Sequence, residues 1–537
     1  MTRLLTILAL VLAGVFASAA SASADAPFPR GFPWGTASAG FQSEMGGSPV
    51  NADTRTDWWA WTHDAQNQAA GRVTADRPER GPGHWNLYRR DVDLARDALH
   101  NTAYRVGVEW SRIFPRSTVG IGGSGPITPA TLRALDRAAD PGAVRHYRSE
   151  LAYARRRGMT VFLTLSHFTL PSWIHDPIAV RDALKGFDPN RTPPPGARRG
   201  WLDPGTVTEF RKYAAYLGWK YGDLVDFWTP INEPMVVATN GYVNVPGAFS
   251  GNFPPGAFSY RGVLDVVQNL ASANAAAYDQ LKASDRRDAG GGPERASVGL
   301  VQNMIAFTPK SAASPADVRS TDHADYIFNR FFLDAAVKGI RDVNANGIVD
   351  PGERRPALAG KADFIGVNYY FRGRVASVGA PLSPVIPILD FLPATSYRTP
   401  LAPDGAPCPT TCSDFGSEIY AQGFSDVLKT AGRYGRPIYI TENGIADAND
   451  DQRPAYLVSH LQRVRRAIAT READVRGFFQ WSLIDNFEWS SGYLPKFGLY
   501  AFDPRTLRRI ARPSARYYGQ IARANAIPSA LVRRFGP

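Results

Sequence analysis

An apolar strand runs into a glutamate at Phe227-Trp228-Thr229-Pro230-Ile231-Asn232-Glu233-Pro234. The same plan recurs later, in Pro437-Ile438-Tyr439-Ile440-Thr441-Glu442-Asn443-Gly444. At the C-terminal ends of parallel barrel strands, two carboxylates that face each other are what glycosidic bond cleavage requires. The alternative is that each glutamate is a solvated acid in a loop at a strand end. The two matching stretches together favour paired carboxylate chemistry.

Strand patterns alternate with helix patterns along the chain, which is typical of a parallel sheet. The predicted strands lie at residues 32–42, 103–110, 160–168, 227–234, 296–304, 362–370, 437–444 and 475–483. The predicted helices lie at residues 86–100, 143–157, 206–221, 263–283, 321–338, 418–434, 452–470 and 513–525.

Eight such units predict an α/β fold, a (β/α)₈ TIM barrel with extended βα loops. No linker or repeat indicates a second domain, so residues 25–537 are expected to form one domain. The Pro/Gly-rich stretches at 189–205, 246–256 and 380–415 each follow a strand. We expect them to form walls of the site.

The N-terminus has the layout of a secretory signal peptide over residues 1–24. Arg3 precedes an apolar run from Leu4 to Phe16, and Ala22-Ser23-Ala24 precedes the expected cleavage site. The mature protein is therefore predicted to be secreted. No later run is long enough for a membrane span, so no membrane partner is expected.

The charge distribution and the cysteine content argue against two further classes of function, nucleic-acid binding and zinc binding. The net charge of +12 comes from scattered arginines, which argues against a nucleic-acid partner. Cys408 and Cys412 are the two cysteines. In an exported protein they form either a small local disulfide or a free pair of thiols, and two thiols cannot complete a zinc site.

Polar residues collect near the ends of the predicted strands, which indicates one polar pocket. Singly, His167 would be read as a structural histidine and Tyr370 as a core aromatic residue. Their shared location favours the pocket. The candidate residues are Gln42, Arg105, His167, Asn232, Glu233, Asn368, Tyr370, Glu442, Glu488 and Trp489.

Seven motifs follow one another in the order of a known family. They are Phe41-Gln42-Ser43-Glu44, Trp110-Ser111-Arg112-Ile113-Phe114-Pro115, Thr164-Leu165-Ser166-His167-Phe168, Thr229-Pro230-Ile231-Asn232-Glu233-Pro234, Asn368-Tyr369-Tyr370, Thr441-Glu442-Asn443-Gly444, and Trp481-Ser482-Leu483-Ile484-Asp485-Asn486-Phe487-Glu488-Trp489. Over nearly all of the mature chain, the sequence resembles the family-1 glycoside hydrolases, the β-glucosidase and β-galactosidase family. Residues 42–46 and 57–64 are more similar to the archaeal-type β-glycosidases than to the plant enzymes.

The resemblance implies a role for each candidate residue. Glu233 would be the general acid/base and Glu442 the nucleophile, with Arg105 and Tyr370 holding Glu442 ionised and oriented. Phe168 departs from the tryptophan that is more usual after the histidine. The substrate-binding residues would be Gln42, His167, Asn232, Asn368, Trp481, Glu488 and Trp489.

The implied activity is that of a secreted retaining exo-β-glycosidase, β-glucosidase-like, whose partners are small-molecule or oligosaccharide β-glycosides. No cofactor is needed for catalysis, because two glutamates suffice. A non-catalytic sugar-binding protein on the same fold would lack one of Glu233 and Glu442, and both are present. A transglycosidase remains an alternative that leaves no mark in the sequence.

A second kind of site is predicted outside these motifs, in the loop 342–353. Gly347 stands at the sixth position, where a 12-residue calcium loop turns sharply. The alternative is an Asn/Gly-rich surface turn, and Pro351 makes a helix after the loop unfavourable. A structural calcium ion would bind at Asp342, Asn344, Asn346, Ile348, Asp350 and Glu353.

Overall fold

The structure, a computed structural model, describes residues 27–186, 191, 193, 198–244, 251–290, 297–381, 388–394, 396–399 and 405–536. The predicted signal peptide, residues 1–24, lies outside these ranges. Ala296, at the start of the predicted fifth strand, also lies outside them. Within the described residues, no helix is both long enough and apolar enough to span a membrane.

The apolar runs of the sequence form the strands of the described chain. They are β1 (Trp34–Ala37), β2 (Ala103–Gly107), β3 (Thr160–Ser166), β4 (Phe227–Ile231), β5 (Ser297–Val298), β6 (Leu300–Asn303), β7 (Ala306–Pro309), β8 (Ile365–Tyr369), β9 (Arg372–Ser377), β10 (Phe391–Ala394), β11 (Ile438–Asn443), β12 (Val475–Gln480), β13 (Tyr500–Phe502) and β14 (Arg509–Ala511).

One large sheet has the order β5-β4-β3-β2-β1-β12-β11-β8-β6, and all its neighbouring strands are parallel. β5 and β6 are two parts of one barrel strand, separated at Gly299. The barrel closes where the N–H of Glu233 donates to the carbonyl of Val301 at 2.9 Å. The predicted (β/α)₈ barrel is confirmed.

Helices follow or precede the barrel strands, as predicted. They are α1 (Gly40–Ser43), α2 (Asp57–His63), α3 (Ala65–Ala69), α4 (His84–Asp93), α5 (Trp110–Ile113), α6 (Pro129–Ala138), α7 (Pro141–Arg156), α8 (Pro177–Ala183), α9 (Gly205–Tyr221), α10 (Pro234–Tyr242), α11 (Tyr260–Ser284), α12 (Pro315–Asp325), α13 (Phe331–Leu333), α14 (Ala421–Gly432), α15 (Arg453–Ala469), α16 (Pro513–Ala524) and α17 (Ser529–Phe535). Each of the eight predicted helices has a counterpart.

Two expectations about the elements were wrong. Gln42 does not end a strand, because β1 stops at Ala37 and Gln42 lies on α1. The predicted strand 103–110 stops at Gly107, since Trp110 already begins α5. The loops also form strands that the sequence pattern did not predict. These are the three-stranded sheet β10-β9-β7 and the hairpin β13-β14.

A layer of aromatic rings fills the N-terminal end of the barrel. Phe162, Phe227 and Tyr439 lie within the first three residues of their strands. The rings of Phe162 and Phe227 stack 4.2 Å apart, and Phe479 contacts Phe162 edge-on at 4.7 Å. Because side chains fill the interior of a TIM barrel in layers, polar groups are left to the C-terminal end.

Candidate active site

Glu442 is held at the C-terminal end of the barrel by two donors from other strands. It lies in β11, and Arg105 of β2 donates from Nη1 to its Oε1 at 2.6 Å. The Tyr370 hydroxyl, just after β8, donates to the other oxygen, Oε2, at 2.5 Å. Burial and the charge of Glu442 raise the pKa of Tyr370 well above its usual range, so the phenol stays a donor.

Asparagine side chains link this carboxylate to the second glutamate. Asn232 Oδ1 accepts from Arg105 Nη2 at 2.7 Å and from Asn368 Nδ2 at 3.2 Å. Asn368 Nδ2 also donates to Glu233 Oε1 at 2.6 Å. The Thr441 hydroxyl donates to Asn368 Oδ1 at 2.7 Å, which fixes the orientation of that amide. The two glutamates therefore belong to one hydrogen-bond network.

Glu233 lies in a setting different from that of Glu442. Its bonded partners are the neutral amides of Asn368 and, at 3.4 Å, Asn303. Burial, and then repulsion from Glu442, raise the pKa of Glu233 to about 8. Glu233 therefore keeps its proton at neutral pH, as a general acid must.

His167 is neutral, and its tautomer follows from the network. Burial and the charge of Arg105 lower its pKa well below the usual value. Since Asn232 Oδ1 accepts two hydrogen bonds, its Nδ2 donates to His167 Nε2 at 3.3 Å. The proton of His167 is then on Nδ1, which has no hydrogen-bond partner among the described residues. A buried donor without a partner indicates a ligand position.

Gln42 and Glu488 form a second polar group. Gln42 Nε2 donates to Asn486 Oδ1 at 3.0 Å and to Glu488 Oε2 at 3.4 Å. Its own Oε1 is buried and has no partner within the described ranges. Burial, with repulsion from Glu442 and Glu233, raises the pKa of Glu488 to about 8. These groups can bind the hydroxyls of a neutral ligand.

One cavity of about 570 Å³ unites most of the predicted residues. Arg105, Asn232 and Asn368 do not line it and are fully buried behind it. The ring of His167 lies nearly parallel to both indoles, with centroid distances of 5.9 Å to Trp481 and 6.0 Å to Trp489. The predicted residues that line the cavity are Gln42, His167, Glu233, Tyr370, Glu442, Trp481, Glu488 and Trp489.

Three non-glycine residues of the site have left-handed backbone conformations. The φ angles are 74° at Phe168, 49° at Glu233 and 51° at Trp489. Such conformations cost free energy and persist where the surroundings hold them, commonly at functional sites. Gly444 shows another close approach, because an added Cβ would lie 1.9 Å from the carbonyl oxygen of Trp481.

The sequence prediction missed three polar residues that hold this network. Asn303 ends β6, so the rule that polar residues collect at barrel strand ends could have found it. Thr441 and Asn486 lie inside quoted motifs, but their contacts became visible only in the structure. Each of them orients a residue that the sequence did identify.

The predicted walls are confirmed in part. Residues 251–253 and several described residues within 393–415 line the cavity, whereas the described residues of 189–205 do not. Cys408 and Cys412 form a disulfide, which decides between the two alternatives for these cysteines. The described part of the loop after Cys412 contributes Ser413, Phe415 and Ser417 to the wall.

The loop 342–353 folds around its own carboxylates. Asp342 Oδ2 accepts from the N–H of Gly347 at 2.9 Å, and Gly347 has a φ of 74°, as the sharp turn requires. Glu353 accepts from the N–H groups of Val343 and Asp350, both at 2.8 Å. Among the described residues, no group of three or more His, Cys, Asp and Glu side chains could hold a metal ion. Calcium binding stays a prediction.

A TIM barrel with two glutamates in one buried polar cavity has the arrangement that glycosidic bond hydrolysis requires, which is that of a glycoside hydrolase. The comparison with family models agrees. The model described as glycosyl hydrolase family 1 matches residues 24–180 and 196–527. The chain belongs to glycosyl hydrolase family 1.

Relatives and solved structures place the chain within that family. It is 39% identical to a β-galactosidase of Pyrococcus woesei over 508 residues, which cover 90% of this chain and 94% of that protein. The crystal structure of the β-glycosidase of Thermosphaera aggregans is 36% identical, with a TM-score of 0.81, and the match covers 95% of this chain and 99% of that one. A β-glucosidase of Pyrococcus furiosus is 35% identical, with a TM-score of 0.79 and coverages of 94% and 98%. The predicted similarity to archaeal-type β-glycosidases is confirmed.

We predict that calcium raises the melting temperature of this protein and that a chelator lowers it, since a ligand bound only to the folded state stabilises that state. The double variant Asp342→Ala, Glu353→Ala should lose this response. It should keep the wild-type turnover number at low temperature, because the loop lies outside the catalytic motifs. An unchanged melting curve with calcium and with chelator, and no calcium in metal analysis, would show that the loop is only a turn.

Proposed function

We propose that this protein is a secreted exo-β-glycosidase that hydrolyses terminal non-reducing β-linked sugars with retention of configuration. Glucosides are the proposed main substrates, with galactosides and fucosides also accepted. One observation carries the proposal: two glutamates line one cavity in different electrostatic settings. Glu442 is bound by the cation of Arg105, and Glu233 is bound by neutral amides.

The two settings support a double displacement. Glu442 would attack the anomeric carbon while Glu233 gives its proton to the departing oxygen, which leaves a glycosyl-enzyme ester. The ester has no negative charge, so its formation removes the repulsion that helps to raise the pKa of Glu233. Glu233 could then accept a proton from water, which attacks the ester and releases the sugar.

The unpartnered polar atoms support recognition of one neutral sugar. Gln42 Oε1 can accept from a sugar hydroxyl, and His167 Nδ1 can donate to one. The indole of Trp481 supplies an apolar face against which a sugar ring can pack. Glu488, with its pKa near 8, would hold a proton at neutral pH and could bind hydroxyls without adding a full charge.

Export is supported by two observations. Residues 1–24 have the sequence pattern of a secretory signal peptide. The Cys408–Cys412 disulfide fits an oxidising compartment, because such bonds are rare in the reducing cytosol. N-terminal sequencing of the protein recovered from culture medium would test this, with Asp25 expected as the first residue.

We predict that the first sugar released from an aryl β-glucoside is the β-anomer. Retention follows if Glu442 is a nucleophile, since two successive inversions restore the configuration. Proton NMR of the reaction mixture, recorded before mutarotation, reads the anomer directly. Initial appearance of the α-anomer would refute the double displacement.

The roles of the two glutamates are separated by matched variants. Glu442→Gly should lose turnover and recover part of it with azide, giving the α-glycosyl azide, because the small anion can occupy the space of the carboxylate. Glu233→Ala should give the β-glycosyl azide instead, since attack would then occur on the glycosyl-enzyme. If Glu442→Gly gave the β-glycosyl azide and Glu233→Ala gave the α-glycosyl azide, the two assigned roles would be reversed.

We predict that kcat/KM for an alkyl β-glucoside falls about tenfold per pH unit above pH 8. The pKa of Glu233 is raised to about 8, so the proton that the leaving group needs is present below that pH and lost above it. The pH profile of kcat/KM measures this limb.

Two controls assign the alkaline limb to Glu233. A dinitrophenyl glucoside needs no proton on its leaving group, so its kcat/KM should stay level over the same range. Glu488 also has a pKa raised to about 8, and Glu488→Gln should therefore keep the limb with the alkyl substrate. If the limb disappears in that variant, Glu488 and not Glu233 is responsible.

The lining of the cavity beyond the residues assigned to sugar binding supports an uncharged, largely apolar aglycone. Among the described lining residues, the only carboxylates are Glu233, Glu442 and Glu488, and no lysine or arginine is present. An anionic aglycone would therefore meet no cation there. The apolar lining includes Val236, Val243, Ile305, Phe307, Phe328, Phe371, Phe415, Ile419 and Phe497.

We predict that octyl β-glucoside is cleaved with a higher kcat/KM than methyl β-glucoside or cellobiose. Phe415 is 39% exposed on this wall, and Phe415→Ala should reduce the preference for octyl over methyl about tenfold, the loss expected for one aromatic contact. The ratio of kcat/KM for the two glucosides measures it. A variant with the wild-type ratio would show that the alkyl chain lies elsewhere.

A further inference from the structure

Glu109 is a buried carboxylate that the catalytic steps above do not use. It is the N-cap residue of α5, and its side chain makes no cap bond to that helix. Its two oxygens accept hydrogen bonds from two other segments, at Phe41 and Thr169. The residue is only 2% exposed, so these bonds lie in the protein interior.

The first bond supplies α1 with the cap that its own sequence lacks. Ala39 is the N-cap residue and has no side-chain acceptor, so an N–H of the first turn needs another partner. Glu109 Oε1 accepts from the N–H of Phe41 at 2.8 Å. A Cβ added to Gly40 would lie 2.6 Å from the same oxygen, which shows how closely α1 lies against the carboxylate. The next residue is Gln42, which reaches the cavity.

The second bond fixes the segment that carries His167. The Thr169 hydroxyl donates to Glu109 Oε2 at 2.6 Å. Phe168, between them, has a φ of 74°, a conformation that costs a non-glycine residue free energy and persists where the surroundings hold it. On the other side, Asn232 holds the imidazole of His167. Glu109 therefore restrains one end of a strained turn in the site.

The aromatic contacts connect both segments to a third. The ring of Phe41 stacks on Trp489 at 5.9 Å, and Phe168 contacts the same indole edge-on at 5.0 Å. A shift of either segment would therefore also move Trp489. Glu109 thus lies behind Gln42, His167 and Trp489, three of the residues assigned to sugar binding.

We propose that Glu109 is a positioning residue that sets the spacing between the segments 40–42 and 167–169, and thereby the fit of the sugar. The inference rests on the proposed function, since Gln42 and His167 are sugar ligands only there. Glu109 does not touch the substrate. It acts through the backbone of Phe41 and the hydroxyl of Thr169.

The surroundings of Glu109 predict which substitution it tolerates. Burial, and then the charges of Glu44 and Asp53, raise the pKa of Glu109 to about 8. The carboxyl group is therefore mainly protonated at neutral pH. With the proton on Oε2, the 2.6 Å hydrogen bond to Thr169 is reversed, so that the carboxyl group donates and the hydroxyl accepts. A glutamine has the same shape, accepts from Phe41 and donates to Thr169. The other ionisable groups around it are Arg112, Tyr147 and Tyr213.

The test compares Glu109→Ala with Glu109→Gln. Glu109→Ala should lower kcat/KM for an aryl β-glucoside about 100-fold, the loss expected when a binding group is displaced by about 1 Å. Glu109→Gln should restore kcat/KM to within about threefold of wild type, because both hydrogen bonds can form. The melting temperature of each variant is measured alongside.

Glu209→Ala is the matched control. Glu209 on α9 is also buried and also accepts from a threonine hydroxyl, that of Thr118 at 2.6 Å, but it contacts neither segment of the site. Its loss should change the melting temperature and leave kcat and KM as in wild type. If Glu109→Ala behaves in the same way, the positioning role is refuted.

A mutant cycle tests whether Glu109 acts through Gln42 and His167. In a background that lacks the side chains of Gln42 and His167, Glu109→Ala should cost less than about tenfold, because residues that act through one another are not additive. A full 100-fold loss in that background would overturn the proposal. If Glu109→Ala does not fold, Thr169→Val takes its place. Loss of its hydrogen bond should lower kcat/KM about tenfold, and wild-type kinetics in this variant would also overturn the proposal.

Glucose binding separates this inference from the proposed function. The fluorescence of the site tryptophans reports glucose affinity without turnover. A wild-type protein that cleaves no β-glycoside would refute the proposed function, whereas weaker glucose binding by Glu109→Ala, restored in Glu109→Gln, would still support the positioning role. Equal affinity in wild type and Glu109→Ala would refute it.

Discussion

A buried guanidinium holds the C-terminal end of this barrel together. Arg105 has no exposed surface, and a charge in such a position must be paired and hydrogen-bonded to be tolerated. It donates to Glu442 and to Asn232, which come from strands on either side of the site. Because both contacts satisfy the same cation, the positions of these two side chains are coupled. The geometry of the site therefore depends on one ion pair in the interior.

Asn232 extends this constraint to the rest of the site. Its oxygen accepts from Arg105 and Asn368, which leaves its nitrogen to donate to His167. Asn368 in turn donates to Glu233. A neutral amide suits this place, because it has both an acceptor and a donor, whereas a carboxylate would put a further charge between two glutamates. Asn232 and the residues bonded to it therefore hold Glu233, Glu442 and the neutral imidazole of His167 in place.

The fold was predictable because the alternation of strand and helix patterns repeats along the sequence. The contacts between residues that are far apart in the sequence were not predictable. Strands such as 160–166 and helices such as 453–469 follow local patterns of apolar residues, and the structure places them where the pattern does. The paired glutamates were found because strand ends meet at one face of a barrel. Gln42 was assigned to the wrong element, since β1 ends early and a four-residue helix follows it. The role of Glu109 depends on contacts with residues 68 and 60 positions away, which no local pattern encodes.

The charges in the cavity also limit what it can bind. Glu233 and Glu488 both have a pKa raised to about 8, so at neutral pH both are mainly protonated, and the pair formed by Arg105 and Glu442 has no net charge. The site is therefore close to neutral before a ligand enters. A neutral sugar can replace water there without leaving a buried charge unpaired, whereas an anionic sugar would add a charge that no free cation balances among the described lining residues. On this reasoning, the same buried carboxyl groups that supply the chemistry also select uncharged substrates.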